Sequence, residues 1–511
     1  MQSKRKQADL KFRSVFDPIA MSDACNLTKI HRNKIWSFIM KSIQIDIDAK
    51  ILESSTSSSS APTNLFNLKD VPMEDSTFSV KKSDIRVLKA EESPFVAFTS
   101  RIVETVGNSR QDTTKLLIEL QDGHQIESVI IRHQHYSTLC VSSQIGCAMG
   151  CKFCATGTMG IIGDLTAGEI IEQYVMANTI TPIRNVVFMG MGEPLNNYEN
   201  VKAAISCLID PGSVFSLSPR HVTVSTVGVI KNMYKLTKDL PYVNLALSLH
   251  APDQETRLKI VPTAGANKIE TLMDGVDNHI RNSKRSHKHG RKLTVMMEYI
   301  LIKDVNDTIW HAHALGKLLH ERKKDILLNL IPYNPTAAGD SEGYLQPENT
   351  QIDAFFGVLT KDEFGYNLFT RLRHEMGQDV DAACGQLAVS RQDTSKNPGA
   401  RDIEDFNKIS SPSSSGGYIM TYFHDVLGGL MKMVDTRDNP TENDEDTALN
   451  GKEKRNERGS GVSSDSMSRT AQTDGTDGTD GTTMVAASAV LTGFLLASIV
   501  VYRAAKTYRA S

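Results

Sequence analysis

The sequence has few cysteines and no strong excess of charge of either sign. Its 511 residues include seven cysteines, and four of these lie within fifteen positions. An odd number with this clustering argues against the disulfide scaffold of a secreted protein. No apolar segment typical of secretory signals follows the basic N-terminus, so export is not expected. We therefore predict a reducing compartment for this chain.

The net charge of −3 excludes a chain that is basic overall, so any basic surface for a polyanion must be local. Hydrophobic residues make up 40% and charged residues 23% of the sequence. These fractions are typical of a globular protein, so a buried core is expected over much of the chain.

Residues 1–80 are predicted to form a divergent accessory region, in which 27–43 have apolar spacing suited to a helix. The Ser-rich stretch SSTSSSSAPTN is predicted to be a flexible linker. Between residues 81 and 137, alternating runs such as TKLLIEL and HQIESVIIR predict a small antiparallel β extension.

Residues 138–392 show a different pattern. Six apolar runs rich in β-branched residues alternate with helix-like stretches: LCVSSQIG, NVVFMGMGEP, VTVSTVG, VNLALSLHAP, LTVMMEYILI and ILLNLIPYNP. This alternation predicts an α/β fold with parallel strands. Because six strands are fewer than the eight of a closed barrel, we expect a partial (β/α)6 barrel with its chemistry at the C-terminal strand ends.

The C-terminal part loses this alternation. Residues 393–483 are rich in Ser, Asp, Asn, Glu and Lys and are predicted to be a disordered linker. The uncharged run at 484–502 is just long enough to span a bilayer as a transmembrane helix, and the basic tail 503–511 would anchor it. A moderately apolar helix packed on protein is the alternative. We expect a tail-anchored membrane protein with its catalytic part in the cytoplasm, or alternatively a soluble cytoplasmic or organellar enzyme.

The strongest motif is CAMGCKFC, a C-x3-C-x2-C triplet formed by Cys147, Cys151 and Cys154. Three thiolates on one loop can hold three irons of a [4Fe–4S] cluster and leave the fourth iron open to S-adenosylmethionine (SAM). A structural zinc site, the alternative, needs four ligands, and no nearby fourth Cys or His has suitable spacing. We therefore predict a [4Fe–4S] cluster and SAM as cofactors.

Several blocks together resemble the RlmN/Cfr family of radical-SAM RNA methyltransferases: CVSSQIGCAMGCKFCATG, MGMGEPLNN, VTVSTVG, LALSLHAP, LIPYNP and DAACGQL, in the family's order. The last block resembles the RlmN branch, whose members methylate C2 of adenine in large-subunit rRNA and, in many cases, tRNA. The resemblance implies this activity here. A Cfr-like adenine-C8 methyltransferase and a membrane-tethered RNA-binding protein without catalysis are the alternatives.

The resemblance also implies a set of SAM contacts, all at or just beyond predicted strand ends, where a barrel places its site. In GMGEP, a glycine lets a ligand approach the backbone, and the following glutamate could accept a hydrogen bond from the SAM amino group. Without the resemblance, these positions would be ordinary turn or loop residues. The implied SAM-binding residues are Gly192, Glu193, Ser225, Ser248, Leu249, His250 and Asn334.

Three further residues take catalytic roles by resemblance. Cys384 is first methylated by one SAM; the adenosyl radical from a second SAM then takes hydrogen from that methyl group, and the carbon radical adds to adenine. This route has a chemical reason, because the electrophilic C2 of adenine resists an electrophilic methyl donor. Cys140 then attacks Cys384 to form a disulfide and release the base, while Glu127 accepts the proton. By residue type alone, the two cysteines would be inert thiols and Glu127 an exposed strand carboxylate.

RNA, a reductant protein such as flavodoxin or ferredoxin, and a membrane are the expected partners of a monomeric protein. The segment RNSKRSHKHGRK, from Arg281 to Lys292, carries six Lys or Arg side chains that could hold phosphates. An exposed, solvated loop without RNA contacts is an equally good interpretation of this segment. Cys25 and Cys207 match no motif and are expected to be structural.

Overall fold

The computed structural model describes residues 5–25, 27–53, 68–76, 78–284, 295–373 and 376–388. Met1–Lys396 forms one compact unit. Among the described helices, none is long and apolar enough to cross a membrane. Four predicted segments lie outside the described residues: the SSTSSSSAPTN linker, the linker at 393–483, the transmembrane segment at 484–502 and the basic tail at 503–511.

The N-terminal region contains a short strand and two helices that pack on later helices. Asp17 caps the first helix, because its carboxylate accepts hydrogen bonds from the backbone N–H groups of Ile19 and Ala20. The helix predicted at 27–43 is present, but it is longer and ends at Glu53. The elements are β1 (Arg13–Ser14), α1 (Pro18–Ala24) and α2 (Lys29–Glu53).

The predicted β extension is present, but it is not a separate sheet. Its last strand pairs antiparallel with the first barrel strand, with Val129 opposite Cys140 and Arg132 opposite Ser137. The main sheet is therefore continuous across the boundary predicted at residue 137. The elements of this part are α3 (Lys82–Lys89), β2 (Phe95–Val96), β3 (Ser100–Gly107), β4 (Thr113–Leu120) and β5 (Gln125–Arg132).

Six parallel strands follow, and they coincide with the six runs predicted from the sequence. The first is β6 (Ser137–Cys140), after which β7 (Gln144–Gly146) and β8 (Ile161–Asp164) form a small antiparallel hairpin. The other five are β9 (Ile183–Phe188), β10 (Val222–Thr226), β11 (Asn244–Ser248), β12 (Val295–Leu301) and β13 (Ile326–Pro332). A seventh parallel strand, β14 (Thr370–Leu372), pairs with β13 and was not predicted.

Helices alternate with the strands, as expected for an α/β barrel. The sequence TAGE begins one of them with a capping box, in which Thr166 Oγ1 accepts from Glu169 N at 3.1 Å and the Glu169 carboxylate accepts from Thr166 N at 2.9 Å. The helices are α4 (Ala155–Thr158), α5 (Ala167–Ile180), α6 (Tyr198–Leu208), α7 (Ile230–Asp239), α8 (Gln254–Ile260), α9 (Ile269–Asn282), α10 (Ile309–Leu319), α11 (Ala337–Ser341) and α12 (Asn349–Thr360).

The register of the parallel strands aligns polar side chains in one layer inside the barrel. Ser248 on β11 lies opposite Glu298 on β12, which lies opposite Asn329 on β13. Arg371 extends the row on β14, opposite Asn329. Residues in register point to the same side of a sheet. This polar layer therefore lies just below the C-terminal strand ends, where a site is expected.

An aromatic cluster attaches the N-terminal region to the barrel. Phe16 and Trp36 are buried, with ring centroids 6.1 Å apart. Trp36 Nε1 donates to Val15 O at 2.7 Å, which satisfies its only polar group. The ring of Phe215, from the segment before β10, lies 5.6 Å from Trp36. The divergent region thus shares one continuous hydrophobic core with the barrel.

Candidate active site

A cavity opens at the C-terminal ends of the barrel strands. Its walls come from the loops after β7, β9, β10 and β11 and from the inner ends of β12 and β13. Side chains from distant parts of the sequence converge here, as expected for an α/β barrel. The lining residues include Cys147, Cys151, Cys154, Gly192, Glu193, Ser225, Ser248, His250, Glu298, Arg373 and Cys384.

The predicted cluster cysteines lie on the loop between β7 and β8. Cys147 N donates to Gly160 O at 2.9 Å, and Cys154 N donates to Cys151 O at 3.1 Å. The backbone of Gly157 lies so close to the backbone of Cys151 that a Cβ added to Gly157 would be 2.9 Å from Cys151 O. Backbone contacts therefore keep this loop compact, and all three thiols face the same cavity.

The chemistry of these thiols suits a cluster. Burial raises the pKa of Cys147 to about 12, and it also raises those of Cys151 and Cys154. Buried thiolates are costly unless a metal binds them. Among the described residues, no three Cys, His, Asp or Glu side chains could hold a single metal ion. A cluster has a different requirement, because each cysteine binds a separate iron.

Glu193 is buried at the turn after β9. Its two carboxylate oxygens accept hydrogen bonds from Leu195 N and Val227 N, both at 2.9 Å. Burial raises the pKa of Glu193 to about 7, although these donors oppose the shift. The preceding Gly192 has a φ of +97°, and an added Cβ would lie 2.5 Å from Gln144 Cβ. Glu193 thus connects the loop after β9 to the end of β10 while it lines the cavity.

Ser225 and Ser248 lie on neighbouring strands, and their hydroxyl oxygens are 3.3 Å apart. His250 follows with a φ of +62°, and its Nδ1 accepts from Ile300 N at 3.1 Å. Burial, together with the charge of Arg257, lowers the pKa of His250 to about 3. The ring is therefore neutral near pH 7, and its proton lies on Nε2, which can donate a hydrogen bond.

Two of the predicted SAM residues do not line the cavity with their side chains. Leu249 is fully buried, and its backbone N–H donates to Glu298 O at 3.0 Å. Asn334 instead holds the segment around Cys384, because its Nδ2 donates to Cys384 O at 3.0 Å. In this structure, both residues position neighbouring parts of the site.

The segment that carries Cys384 lies against the cluster loop. Gly385 O accepts from Ala155 N at 2.7 Å, immediately after the third cluster cysteine. Thr156 Oγ1 donates to Leu387 O. Cys384 is partly exposed and lines the cavity together with the cluster cysteines. Residues more than two hundred positions apart in sequence thus form one wall of the site.

Cys140 and Glu127 lie beside this wall and do not line the cavity. Burial, and to a smaller extent the nearby Cys384, raise the pKa of Cys140 to about 12, while Arg373 opposes the shift. All seven cysteines are free thiols in the structure. Glu127 lies on β5, where its Oε1 is 3.3 Å from Lys115 Nζ. Burial raises the pKa of Glu127, and the charge of Lys115 partly offsets this effect.

Two charged residues of the cavity were missed by the sequence analysis. Glu298 Oε1 accepts from Asn329 Nδ2 at 2.8 Å, and its Oε2 is 3.9 Å from Arg373 Nη1. Glu298 was recognisable in principle, because it is the single charged residue inside the apolar run VMMEYILI. Arg373, in the polar stretch TRLRHE, gave no comparable signal.

The basic segment 281–292 begins at the other end of the barrel. Helix α9 ends at Asn282, and Lys284 N donates to Pro241 O at 2.9 Å, shortly before β11 begins. Strand β12 then begins at Val295. Both flanks of the segment lie at N-terminal strand ends, away from the cavity. Residues 285–294 lie outside the described residues, so their phosphate contacts stay a prediction.

Comparison with known proteins identifies the family of this site. The Radical SAM superfamily matches residues 141–315. The probable dual-specificity RNA methyltransferase RlmN of Aquifex aeolicus is 40% identical over 285 residues, which cover 55% of this chain and 77% of that protein. The ribosomal RNA large subunit methyltransferase N of Nitrosopumilus maritimus is 39% identical over 309 residues, which cover 58% and 82%. The chain belongs to the RlmN family.

A solved structure supports the same assignment. The crystal structure of a radical SAM methyltransferase from Sphaerobacter thermophilus has a TM-score of 0.53 and 34% identity, covering 61% of this chain and 87% of that chain. The predicted radical-SAM α/β fold is thereby confirmed. As an RlmN family member, the protein is a radical-SAM methyltransferase with a [4Fe–4S] cluster and SAM as cofactors.

The three cysteines of the RlmN cluster loop should each be essential for the cluster. We expect Cys147→Ala, Cys151→Ala and Cys154→Ala to lose it, because each thiolate binds a separate iron. Iron and acid-labile sulfide are measured in anaerobically purified protein. Cys207→Ala, which changes a cysteine outside the cavity, is the matched control and should keep both. Normal iron and sulfide in all three variants would contradict the assignment.

Proposed function

We propose that this chain methylates C2 of adenine in rRNA, and also in tRNA, through a methylated Cys384. The observation that carries the proposal is the position of Cys384 on one cavity wall with the cysteines of the cluster loop. The names of the relatives support the RNA substrate, since they are dual-specificity RNA methyltransferases and a ribosomal RNA large subunit methyltransferase.

The polar residues of the cavity suit SAM next to the cluster. When bound by the three cysteines, the cluster supplies the electron that activates SAM. Ser225 and Ser248 offer hydroxyl groups on one wall. A bound ammonium group would favour the ionised form of Glu193, whose pKa of about 7 leaves both forms accessible. His250 can donate a hydrogen bond without adding a positive charge beside the cationic sulfonium.

Cys384 is the protein's methyl acceptor in this proposal. Its segment is fixed at both sides, by the bond from Ala155 N to Gly385 O and by the bond from Asn334 Nδ2 to Cys384 O. Its sulfur stays accessible from the cavity. Methylation makes a thioether, which turns the methyl carbon into a one-carbon unit that can be added to the electrophilic C2.

Release of the product needs a base and a second thiolate, because a thioether joins protein to RNA after the addition. Glu127 is suited to accept the C2 proton, since burial raises its pKa and makes it a stronger base. Cys140 lies near Cys384 and is suited to attack its sulfur. The disulfide that results must be reduced by an external dithiol before the next turnover.

The proposed partners follow from this chemistry. RNA is the substrate, and a small electron-transfer protein of the flavodoxin or ferredoxin type reduces the cluster. The protein is proposed to act as a monomer.

Nucleoside analysis tests the site of methylation. We expect RNA treated with the reconstituted enzyme to contain 2-methyladenosine, and we expect Cys384→Ala to form none because it lacks the methyl acceptor. Mass spectrometry of digested rRNA and tRNA measures both. Methylation at C8 would favour the Cfr-like alternative. If the wild-type protein neither cleaves SAM nor methylates RNA, an RNA-binding protein without catalysis is the better interpretation.

The Cys140→Ala variant should stop after the addition to adenine. It keeps the cluster, the methyl acceptor and the SAM site, so it should methylate Cys384 and consume SAM. Without the second thiolate, the thioether between Cys384 and RNA cannot be broken at a useful rate. We expect a covalent protein–RNA complex, detected by mass spectrometry as a Cys384 peptide that carries an adenosine adduct.

Two controls accompany this measurement. Cys207→Ala should turn over like the wild type and accumulate no adduct. The double variant Cys140→Ala/Cys384→Ala should form no crosslink, because the attachment point is absent. Normal turnover by Cys140→Ala would show that Cys140 is only a core thiol.

We propose further that residues 484–502 anchor the protein in a membrane. The run MVAASAVLTGFLLASIVVY carries no charge over nineteen residues, and Arg503, Lys506 and Arg509 follow it. The catalytic barrel would then face the cytoplasm, where RNA is available.

Carbonate extraction tests the anchor. We expect the full-length protein to stay in the membrane pellet at alkaline pH, because a spanning helix is held by the bilayer and not by surface charge. A variant truncated after residue 483 should be released into the supernatant. Full release of the intact chain from cell membranes would disprove the anchor and leave the methyltransferase proposal unaffected.

A further inference from the structure

The N-terminal end of the barrel, opposite the cavity, carries exposed cations on neighbouring strands. Arg184 is the second residue of β9, and Arg220 lies two residues before β10. Lys284 follows α9, and its backbone N–H donates to Pro241 O at 2.9 Å, shortly before β11 begins. All three cationic residues are exposed. Because β9, β10 and β11 are adjacent in the sheet, the three cations lie along one end of the barrel.

The positions of the two arginines are not explained by helix ends. Cations in the last turn of a helix are common, because they interact favourably with the helix dipole. Helix α5 ends at Ile180, and Arg184 follows only after β9 has begun. Arg220 lies in a single 3₁₀ turn, Pro219–His221, which is well separated in sequence from the end of α6 at Leu208. Both arginines therefore need another explanation.

A row of hydrogen bonds restrains Arg220. His221 Nδ1 donates to Asn185 Oδ1 at 2.6 Å, so His221 Nε2 is left to accept from Arg220 Nε at 3.4 Å. The backbone oxygen of Arg220 accepts from Asn244 Nδ2 at 2.8 Å. Asn185 and Asn244 belong to β9 and β11, on either side of β10. Contacts with two neighbouring strands therefore restrict the position of this guanidinium.

Arg184 is held beside aromatic rings. Its guanidinium carbon lies 5.7 Å from the ring centroid of Tyr136, which is 4.5 Å from the ring of His133. Tyr136 directly precedes β6, and Tyr242 lies two residues before β11. Both tyrosines are exposed, by 39% and 49%. Exposed aromatic rings among arginines are typical of surfaces that bind nucleic acid, because bases stack on the rings.

The positive charge at this end is not neutralised locally. Within the part of the chain that the structure describes, no carboxylate forms an ion pair with Arg184, Arg220 or Lys284. Asp239, which ends α7, is paired with Lys202 at 2.8 Å. Two acidic residues before β13 are balanced by two lysines: Glu321, Lys323, Lys324 and Asp325. The excess of positive charge therefore lies along β9, β10 and β11, where a polyanion could neutralise it.

We propose that the N-terminal barrel face, formed by Arg184, Arg220, Lys284, Tyr136 and Tyr242, is a second RNA-binding surface that holds the phosphate backbone of the substrate. The inference rests on the proposed function, which supplies RNA as the substrate. It goes beyond that function, because this face contacts RNA at the barrel end opposite the cavity. Phosphate contacts of this kind fix the position of an RNA without reading its sequence.

The dimensions of the barrel allow one RNA to reach both ends. Strand β12 is seven residues long, which corresponds to about 23 Å. A folded RNA longer than this distance can place one base in the cavity while its backbone follows the outside of the barrel to the opposite face. Binding at two separated points makes the second contact intramolecular and thereby increases the overall affinity.

An anionic membrane is the other polyanionic surface that could contact such a face. Attraction to a charged membrane depends on the number of nearby basic residues and requires no fixed arrangement of them. Here hydrogen bonds restrain Arg220, and the ring of Tyr136 lies beside Arg184. Restrained guanidinium groups suit individual phosphates, which they contact through two parallel N–H donors. The observations therefore favour RNA.

The salt dependence of RNA binding tests this surface. Binding of the full-length protein, with its cluster and in neutral detergent, to a fluorescently labelled RNA hairpin is measured by anisotropy at several KCl concentrations. Loss of one phosphate contact reduces the slope of log K against log [KCl] by about one. We expect Arg184→Gln and Arg220→Gln each to reduce the slope by about one, and the double variant by about two. Hairpins of unrelated sequence should show the same reductions.

Matched substitutions show whether the positive charge is responsible. Arg184→Lys keeps the charge and should keep the wild-type slope. Arg101→Gln is the control, because Arg101 is an exposed arginine of β3 that is paired with Glu119 at 2.6 Å, and it should leave the slope unchanged. Residues 285–294 are intact in every variant, so a change in slope reports on the substituted arginines. Iron content and melting temperature show that each variant is folded.

Two results would overturn the inference. One is a double variant, Arg184→Gln/Arg220→Gln, with the wild-type slope. The other is a loss of binding to phosphatidylserine vesicles with unchanged binding to RNA, because the face would then contact a membrane. The measurement does not depend on turnover: if the protein never methylates RNA, the proposed function fails, but the contribution of the two arginines is still measured. If methylation is normal and the slope is unaffected, only the second surface fails.

Discussion

The site depends on the in-register pairing of parallel strands. Because β9 to β13 run in the same direction, every loop that follows a strand emerges at one end of the barrel. The same register places Ser248, Glu298 and Asn329 side by side in the barrel interior. A shift of the pairing register of β12 by one residue would move the Glu298 side chain to the outer face of the sheet and break its contact with Arg373. Strand pairing therefore determines both where the cavity lies and which charges lie beneath it.

The strands before the barrel contribute residues to the surroundings of the cavity. Strand β5 pairs with β6, and this pairing brings Glu127 to the same side of the molecule as Cys140 and Cys384. The segment after β14 closes the site from the other edge of the sheet, through the contact of Gly385 with Ala155. Residues of β5 and β6 in the middle of the sheet thus lie close to the segment that follows the edge strand β14.

Burial gives this site its electrostatic character. It raises the pKa values of Glu193 and Glu298 and lowers that of His250, which shifts each of these groups toward its neutral form. Arg373 is the exception, since it keeps its charge beside Cys384. Among buried groups, a fixed charge has a larger effect on a neighbouring thiol than it would have in water.

The sequence determined the features that local pattern encodes. Alternating apolar runs predicted the six barrel strands, the spacing of Cys147, Cys151 and Cys154 predicted one loop with three thiols, and the order of motifs predicted the family. These features were predictable because periodicity and spacing depend only on residues that are close together in the sequence. The membrane segment is a sequence prediction of the same kind and remains one.

Other features depend on residues that are far apart in the sequence, and only the tertiary structure shows them. The continuity of the β extension with the barrel, the strand β14 and the position of both flanks of the basic segment were not predictable from local pattern. Neither was the position of Arg373 beside the cavity, because its segment TRLRHE carries no motif. Its partners Glu298 and Cys140 come from other strands, and only the closing of the sheet brings them together. A site that is assembled from such long-range contacts produces no motif within a single segment of the sequence.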